Sequence, residues 1–275
     1  MEDYNFKGID FYKFTDIQTG EMHKVMYYDF RDQLLCNKLI QEENISSLCF
    51  DSRYFDKEKN INTEFSFSKK IVSVSVENKS NDLSFLEQFT NLKELYIKEP
   101  KKPKIDLAVF KKLEILSTNW STAIRGIEKL NRLQHIKIWN FEHDDLTIFA
   151  QSKELKEIDL INPKIKSIRG IEELVQVEVL DIEKGRKIER LESFTKFHTN
   201  MKVLRIFGSP NLLSCNSIVN LVNLEVITFG KVNNLESLKF LNKLNNLRIC
   251  GIHPSNVRVN DNSIDLLKEV RSKVN

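Results

Sequence analysis

The sequence has little of the material from which common catalytic sites are built. Only eight of its 275 residues are glycine, which leaves few positions for a loop that wraps a phosphate. The nucleotide-binding patterns GxxxxGK(S/T) and GxGxxG do not occur, and neither do the HExxH pattern of zinc proteases or the GxSxG pattern of serine hydrolases. These absences argue against the common enzyme classes, and we expect no catalytic residue, no cofactor and no metal site.

Cysteine and long apolar runs are also scarce. The four cysteines form no CxxC pair and have no metal-ligand spacing with the five histidines, which fits free thiols in a reducing compartment. No run of about 18 apolar residues occurs, and the opening Met-Glu-Asp-Tyr-Asn-Phe lacks the basic start and apolar core of a secretory signal. We therefore expect a cytoplasmic protein with no membrane partner.

A large charge of one sign is missing as well. The chain has 42 basic and 39 acidic residues, a net charge of +3, which is too small to indicate nucleic acid or an anionic membrane as the partner. Two basic segments, 98–104 and 184–187, contain no interleaved aromatic residues, so we interpret them as solvated loops and do not expect nucleic-acid binding. The chain is rich in Lys, Asn and Ile, a composition that is associated with AT-rich genomes and suggests a bacterial source.

The dominant positive feature is an internal repeat. From residue 92 onward an LxxLxL-like strand pattern recurs at intervals of 20 to 24 residues. Its occurrences are Leu92/Leu95/Ile97, Leu113/Leu116, Leu133/Ile136/Ile138, Leu155/Ile158/Leu160, Val177/Leu180/Ile182, Met201/Leu204/Ile206, Leu224/Ile227/Phe229 and Leu247/Cys250/Ile252. Ile71/Val74/Val76 fits one step earlier and Ile45/Leu48/Phe50 fits more loosely. About nine or ten repeats follow.

Between the strands, apolar residues recur every three positions, as in Ile165/Ile168/Ile171/Leu174. A period of three places side chains on one face of a 3-10 turn or short helix. Each repeat thus supplies a strand whose fourth and sixth positions point inward and a compact return segment that covers the same core. Since no repeat can bury its apolar row alone, neighbours must stack, which predicts a solenoid with a parallel sheet on its concave side.

This pattern resembles the short, roughly 22-residue class of leucine-rich repeats found in internalin-like proteins and in regulatory subunits of phosphatases. The resemblance implies an α/β fold, a right-handed horseshoe with a parallel concave sheet and a convex side of 3-10 or short helical segments. One departure concerns the ninth repeat position, where the family usually has an asparagine ladder. This chain has Pro100, Ser121, Phe141, Pro163, Gly185, Ser209, Val232 and Ser255 there, so these turns must be hydrogen-bonded differently or be looser.

Both ends of a solenoid expose apolar core and need covers. Residues 1–44 are predicted to form an N-terminal cap, with a hairpin over 11–30 around Gln18-Thr19-Gly20-Glu21 and a short helix over 32–43. A separate functional subdomain in this segment is the alternative. Residues 263–275 are predicted to form a C-terminal capping helix that begins at Ser263, which leaves 45–262 as the solenoid.

Two other features could carry chemistry but have simpler interpretations. Glu142-His143-Asp144-Asp145 resembles a metal-binding cluster, yet consecutive residues rarely converge on one ion without a shaped loop, so we interpret it as a solvated turn. Cys215 lies on a return segment and Cys250 at an inward strand position. Both are interpreted as small core hydrophobes rather than as nucleophiles.

The concave face is predicted to hold the functional site, because positions three, five and seven of each strand point to solvent there. Four carboxylates from two adjacent repeats should share one patch, flanked by aromatic and arginine side chains that are typical of protein-binding hot spots. The candidate partner-binding residues are Tyr96, Trp139, Glu157, Asp159, Asp181, Glu183, Arg205 and Phe207. The alternative is an ordinary solvated sheet, since sheets favour aromatic and β-branched residues in any case.

Three classes of function are compatible with this pattern. The first is an interaction protein that recognises one protein partner with a basic or mixed surface, for example an inhibitor or immunity protein whose acidic patch complements a nuclease. The second is a regulatory or scaffold subunit of an enzyme such as a phosphatase. The third is an enzyme, which would need histidine and carboxylates that converge in a cleft with perturbed pKa values.

Overall fold

The computed structural model describes residues 2–15, 22–54, 64–253, 255 and 257–274. The chain divides into two compact units, Met1–Gly126 and Ile127–Asn275, and both are built from the same repeat. The division falls within the repeats, so the domain boundaries expected after residues 44 and 262 stay predictions.

The first unit contains one main sheet of short strands. Its elements are β1 (Glu2–Phe6), β2 (Ile9–Thr15), β3 (Met22–Tyr27), α1 (Gln33–Glu42), β4 (Ser47–Asp51), β5 (Ser73–Glu77), β6 (Glu94–Ile97), β7 (Ile105–Asp106), β8 (Ile115–Asn119) and β9 (Ile124–Arg125). The sheet order is β1-β2-β3-β4-β5-β6-β8, and β7 pairs separately with β9. Pairing is antiparallel up to β3 and parallel from β3 onward.

The second unit has a parallel sheet in the order β10-β11-β12-β13-β14-β16. Its elements are β10 (His135–Trp139), β11 (Glu157–Ile161), β12 (Val179–Glu183), β13 (Val203–Phe207), β14 (Val226–Gly230), β15 (Val232–Leu235), β16 (Ile249–Cys250), β17 (Val257–Val259) and α2 (Leu266–Val274). Short 3-10 segments such as Ile171–Glu173 return the chain between strands. The predicted leucine-rich-repeat architecture is confirmed.

The predicted inward positions form the core. In β11, Ile158 and Leu160 are fully buried, and the residues on either side of them are only partly covered. The return segment follows the same rule, because the N–H of Ile171 donates to the carbonyl of Ile168 (3.0 Å) and the N–H of Leu174 donates to that of Ile171 (2.8 Å). A hydrogen bond every three residues keeps the apolar side chains on one face, and burial of both rows stabilises the stack.

The turns after the strands replace the missing asparagine ladder with a backbone ladder. Five consecutive repeats have a left-handed residue at the eighth position: Asn140, Asn162, Lys184, Gly208 and Lys231. The amide of four of them donates to the seventh residue of the next repeat: Asn140 to Ile161 (2.8 Å), Asn162 to Glu183 (2.7 Å), Lys184 to Phe207 (2.6 Å) and Gly208 to Gly230 (2.8 Å). The turns are therefore hydrogen-bonded between repeats, and the ninth positions Phe141, Gly185 and Ser209 are free to be buried.

The N-terminal segment contains two antiparallel pairs. Strand β1 pairs with β2, and β2 pairs with β3; the expected turn residues Gln18 to Glu21 lie outside the described residues. Helix α1 begins after Asp32, whose carboxylate accepts from the backbone N–H of Leu35 (3.2 Å) and so satisfies a free helix amide. Strand β3 continues into the parallel sheet through the pairing of Met26 with Leu48.

The C-terminal helix differs from the prediction in its start. A 3-10 segment, Asn262–Asp265, precedes α2, and the cap is Asp261, whose carboxylate accepts from the backbone N–H of Ser263 (2.9 Å). The hydroxyl of Ser263 is instead buried and accepts from the N–H of Leu238 (2.7 Å). A serine next to an apolar run indicates a cap only if it is exposed, and here the preceding repeat supplies its donor.

We propose that α2 covers the last repeat of the second unit. The helix contacts β16 and the 3-10 segment Lys239–Lys243, and its Leu267 is almost fully buried.

Deletion of residues 263–275 should expose this apolar surface and the edge of β16, so the truncated protein should self-associate in sedimentation velocity. Leu267→Ala should lower the melting temperature, whereas Lys268→Ala, on the exposed side of α2, should not. A monomeric truncation with an unchanged melting curve would contradict a capping role.

Candidate functional site

The candidate site lies on one face of the sheet in the second unit. Positions three, five and seven of each strand project from this face, called the open face below, and parallel pairing aligns them in three rows. The third-position row is His135, Glu157, Val179, Val203, Val226 and Ile249; the fifth is Lys137, Asp159, Asp181, Arg205 and Thr228; the seventh is Trp139, Ile161, Glu183, Phe207 and Gly230. Seven of the eight predicted site residues thus lie on adjacent strands.

The middle row is a ladder of two ion pairs, in which two central carboxylates lie between two cations. The ammonium nitrogen of Lys137 lies 2.5 Å from Oδ2 of Asp159, and Nη1 of Arg205 lies 3.5 Å from Oδ2 of Asp181. Asp159 and Asp181 are register partners at the centre. Each end of this carboxylate pair therefore has a cation beside it.

The other two carboxylates are paired as well. Oε2 of Glu157 lies 3.0 Å from Nδ1 of His135, and Oε1 of Glu183 lies 3.2 Å from the ammonium nitrogen of Lys184. The sequence predicts that the four carboxylates share a patch beside Arg205, and the register places them on adjacent strands. The contacts with His135, Lys137 and Lys184 were not predicted. The patch is close to charge-balanced rather than acidic, because each acidic side chain has a basic neighbour.

Apolar side chains flank the charged row on both sides. On one side, Val179, Val203, Val226 and Ile249 form a continuous stripe, and Ile249 is 56% exposed. On the other side, Phe207 is 43% exposed and Trp139 is partly exposed, with the ammonium of Lys137 5.3 Å from the Trp139 ring centroid. The sequence has β-branched residues at the third position of successive repeats. The register of the strands shows that their side chains adjoin one another in one stripe.

The position of Phe207 depends on a glycine in the next strand. A Cβ built on Gly230 would lie 2.4 Å from atoms of the Phe207 ring, so the ring occupies the space above that backbone. Any side chain at position 230 would displace it. Gly230 therefore sets the position of the Phe207 ring, a role that the repeat pattern does not predict.

Tyr96, the eighth predicted site residue, belongs to the first unit. It lies in the fifth-position row of that unit, paired with Ser75 and Ser117. With Tyr12, Val25, Ser75 and Lys98 it lines a mostly apolar pocket of about 200 Å³. Tyr96 thus helps to form a local pocket beside the N-terminal strands.

Two carboxylates of the second unit have shifted pKa values of opposite sign. Burial raises the pKa of Asp181, and repulsion from Asp159 raises it further, while Arg205 opposes both. Burial also acts to raise the pKa of Asp145, but hydrogen bonds from Thr147 and Arg169 outweigh it, so the pKa of Asp145 is lowered. Burial and repulsion thus disfavour the anion of Asp181, whereas hydrogen bonds favour the anion of Asp145.

The sequence cluster at residues 142–145 does not converge on a common point. Glu142 pairs with Lys164, Asp144 with Lys166 (3.1 Å) and Asp145 with Arg169 (2.6 Å), all cations of the following repeat. His143 stacks on Phe141 with ring centroids 5.0 Å apart. Within the described residues no three histidine, cysteine or acidic side chains are grouped as metal ligands. The cluster therefore joins neighbouring repeats.

The cysteines differ in their burial. Cys36, Cys49 and Cys215 are buried, and none of the four cysteines is in a disulfide. Cys250, predicted to be a core side chain, is only partly buried. Complete burial raises the pKa of the Cys215 thiol well above its usual value, so its thiolate is disfavoured and it acts as a core side chain.

No protein-family model matches this chain, and no curated protein matches it. Several solved structures are similar to this chain. An internalin (InlF) from Listeria monocytogenes has 15% sequence identity and a TM-score of 0.51, with 71% of this chain and 64% of that one covered. A TDR receptor has 13% identity and a TM-score of 0.54, with 85% of this chain and 46% of that one covered. The chain therefore spans less than two thirds of either protein's length. The similarity shows that it has the leucine-rich-repeat fold.

Among the residues that the structure describes, no helix combines the length and the apolar composition needed to cross a bilayer.

The opposite pKa shifts predict opposite pH dependences of stability. The folded pKa of Asp181 lies above its ordinary value of 3.8, so its contribution to stability is fully present below that pH and is lost as pH rises through the folded pKa. Asp181→Asn should therefore improve relative to wild type from acid to neutral pH. Asp145 contributes above its ordinary pKa of 3.8 and loses this as pH falls through the lower folded pKa, so Asp145→Asn should worsen over the same range.

Urea denaturation of both variants and wild type at a series of pH values measures these differences. The raised pKa of Asp181 is contradicted if Asp181→Asn and wild type differ in free energy of unfolding by the same amount at every pH.

Proposed function

We propose that this chain is a non-catalytic protein-binding module whose partner docks on the open face of β10–β14. The observation that carries the proposal is the exposure of apolar side chains on both sides of the charged row, above all Phe207 at 43% and Ile249 at 56%. Exposed apolar side chains gain free energy when a partner removes them from water, and clusters of them are typical of interaction sites. Their rigid strands mean that little order has to be gained on binding.

The ion-pair ladder suits this function as a source of specificity. Because Lys137 and Arg205 already contact Asp159 and Asp181, the free protein does not present an unbalanced charge. A partner must match two carboxylates that lie between two cations, since a uniformly charged surface would meet repulsion as well as attraction. The partner class is thus a protein with a mixed polar surface and apolar contacts on either side.

The inhibitor or immunity role remains one form of this proposal. An acidic patch would complement the basic site of a nuclease. The carboxylates of the open face are paired with cations, so this role has less support from charge. A regulatory or scaffold subunit of an enzyme such as a phosphatase is the second candidate, and the identity of the captured partner separates the two. The free cysteines fit the proposed cytoplasmic location, which fractionation of the source cells would test.

A catalytic role has weaker support. His135 and Glu157 form a histidine–carboxylate pair, but their side chains are 26% and 39% exposed on a sheet face. General acid–base catalysis relies on groups whose pKa values are tuned by an enclosed environment. The pair is better explained as one more polar contact across neighbouring strands.

The proposal predicts separable effects of apolar and charged residues. The partner would be captured from the source cells, identified by mass spectrometry, and its binding measured by surface plasmon resonance. Trp139→Ala should mainly speed dissociation, with a loss of about 2 kcal/mol, because it removes an anchor. The charge reversals Asp159→Lys and Asp181→Lys should mainly slow association and change its salt dependence.

The matched control is Phe197→Ala, which removes an aromatic ring that is 64% exposed but does not lie on the open face. It should bind like wild type. If the open-face variants bind like wild type while Phe197→Ala or variants of residues 1–44 fail, the binding surface lies elsewhere.

A further inference from the structure

A basic pocket adjoins the open face beside Phe207, in the turns that follow β12, β13 and β14. It has a volume of about 520 Å³ and is lined by Lys184, Arg186, Phe207, Pro210, Lys231 and Asn233, among others. Lys184 and Arg186 belong to the basic segment 184–187, which was predicted to be a solvated loop. The structure brings them together with Lys231 from two repeats further along.

The backbone ladder builds this pocket. Lys184, Gly208 and Lys231 occupy the left-handed eighth position of three successive repeats. Gly208 lies between the two lysines and has no side chain, and a Cβ there would already be 3.3 Å from the Cα of Lys184. The space between the two lysines is therefore kept open by glycine.

The pocket has the unbalanced charge that the open face lacks. Lys184 has an ion pair with Glu183 (3.2 Å), but neither Arg186 nor Lys231 has a carboxylate within 4.0 Å among the residues that the structure describes. The ammonium of Lys231 lies 5.6 Å from the centroid of the Phe207 ring. The wall is thus cationic on one side and aromatic on the other.

We infer that this pocket receives an acidic side chain of the partner, carried on a segment that also presents an apolar side chain to Phe207. This inference rests on the proposed function and specifies the chemistry of the partner. A carboxylate can accept two parallel hydrogen bonds from the guanidinium of Arg186, and Lys231 supplies a second cation. Pro210 and the Phe207 ring offer apolar contact to the neighbouring side chain.

A peptide carboxylate fits better than a nucleic-acid backbone. Nucleic acid needs a basic track that follows successive phosphates, whereas the strands that lead into this pocket carry Glu183 and Asp181. These carboxylates are paired with Arg205 and Lys184, so the strands offer no continuous track of unpaired cations to the next phosphates. The paired carboxylates would not oppose a single acidic residue that is followed by apolar or basic ones.

Selection from a displayed library of random peptides tests the inference, with the full chain as bait. The wild-type chain should enrich peptides that combine Asp or Glu with aromatic or aliphatic residues. Arg186→Glu and Lys231→Glu should lose this enrichment, and one selected peptide should bind each of them about ten-fold or more weakly in fluorescence anisotropy. Lys187→Glu makes the same charge change at a neighbouring exposed residue that does not line the pocket, and it should retain binding.

Several results would overturn the inference. These are a library that enriches no acidic peptides, equal losses in Lys187→Glu and Lys231→Glu, or pocket-dependent binding of a labelled thymidine oligonucleotide in place of the peptide. The proposed function is judged separately, with the captured partner. A partner that is lost by Trp139→Ala but retained by Lys231→Glu would contradict this inference and leave the proposed function in place.

Discussion

The structure depends on one constraint: a single repeat of this chain cannot bury its own apolar row. Each strand contributes two inward side chains, and each return segment contributes a row spaced by three residues. These surfaces are covered only when the next repeat stacks in register, as Leu180 does between Ile158 and Leu204. The hydrogen bonds of the eighth-position turns enforce the same register, so backbone and core specify one arrangement.

The proposed binding surface follows from the alternation of strand side chains. Because inward positions are committed to the core, the outward positions are free to vary, and the register converts their sequence into rows. One row became a balanced ladder of charges and another a stripe of valines. At the ends of the strands, the same turns that fix the register hold Lys184 and Lys231 on either side of Gly208. Stability and the proposed recognition thus use different residues of the same strands.

Much of the fold could be predicted from the sequence because its signal is periodic. The strand positions, the inward leucines and the adjacency of Asp159 and Asp181 all follow from counting repeats. Non-local pairing could not be predicted in the same way. The burial of Ser263 depends on a donor from Leu238, a residue of the preceding repeat that no strand position identifies. The open space beside Gly208 depends on turn geometry that no side-chain pattern encodes.

The most direct test of the shared core is a double-mutant cycle on Leu180 and Leu204, which are fully buried register partners. Each leucine-to-alanine change should lower the free energy of unfolding by about 2 to 5 kcal/mol. The double variant should depart from additivity by about 0.5 kcal/mol or more because the two side chains adjoin one cavity. Val179→Ala, at the partly exposed neighbouring position, should cost clearly less than either. Single losses below about 0.5 kcal/mol, as at ordinary surface positions, would contradict the assigned register and the account of the fold that depends on it.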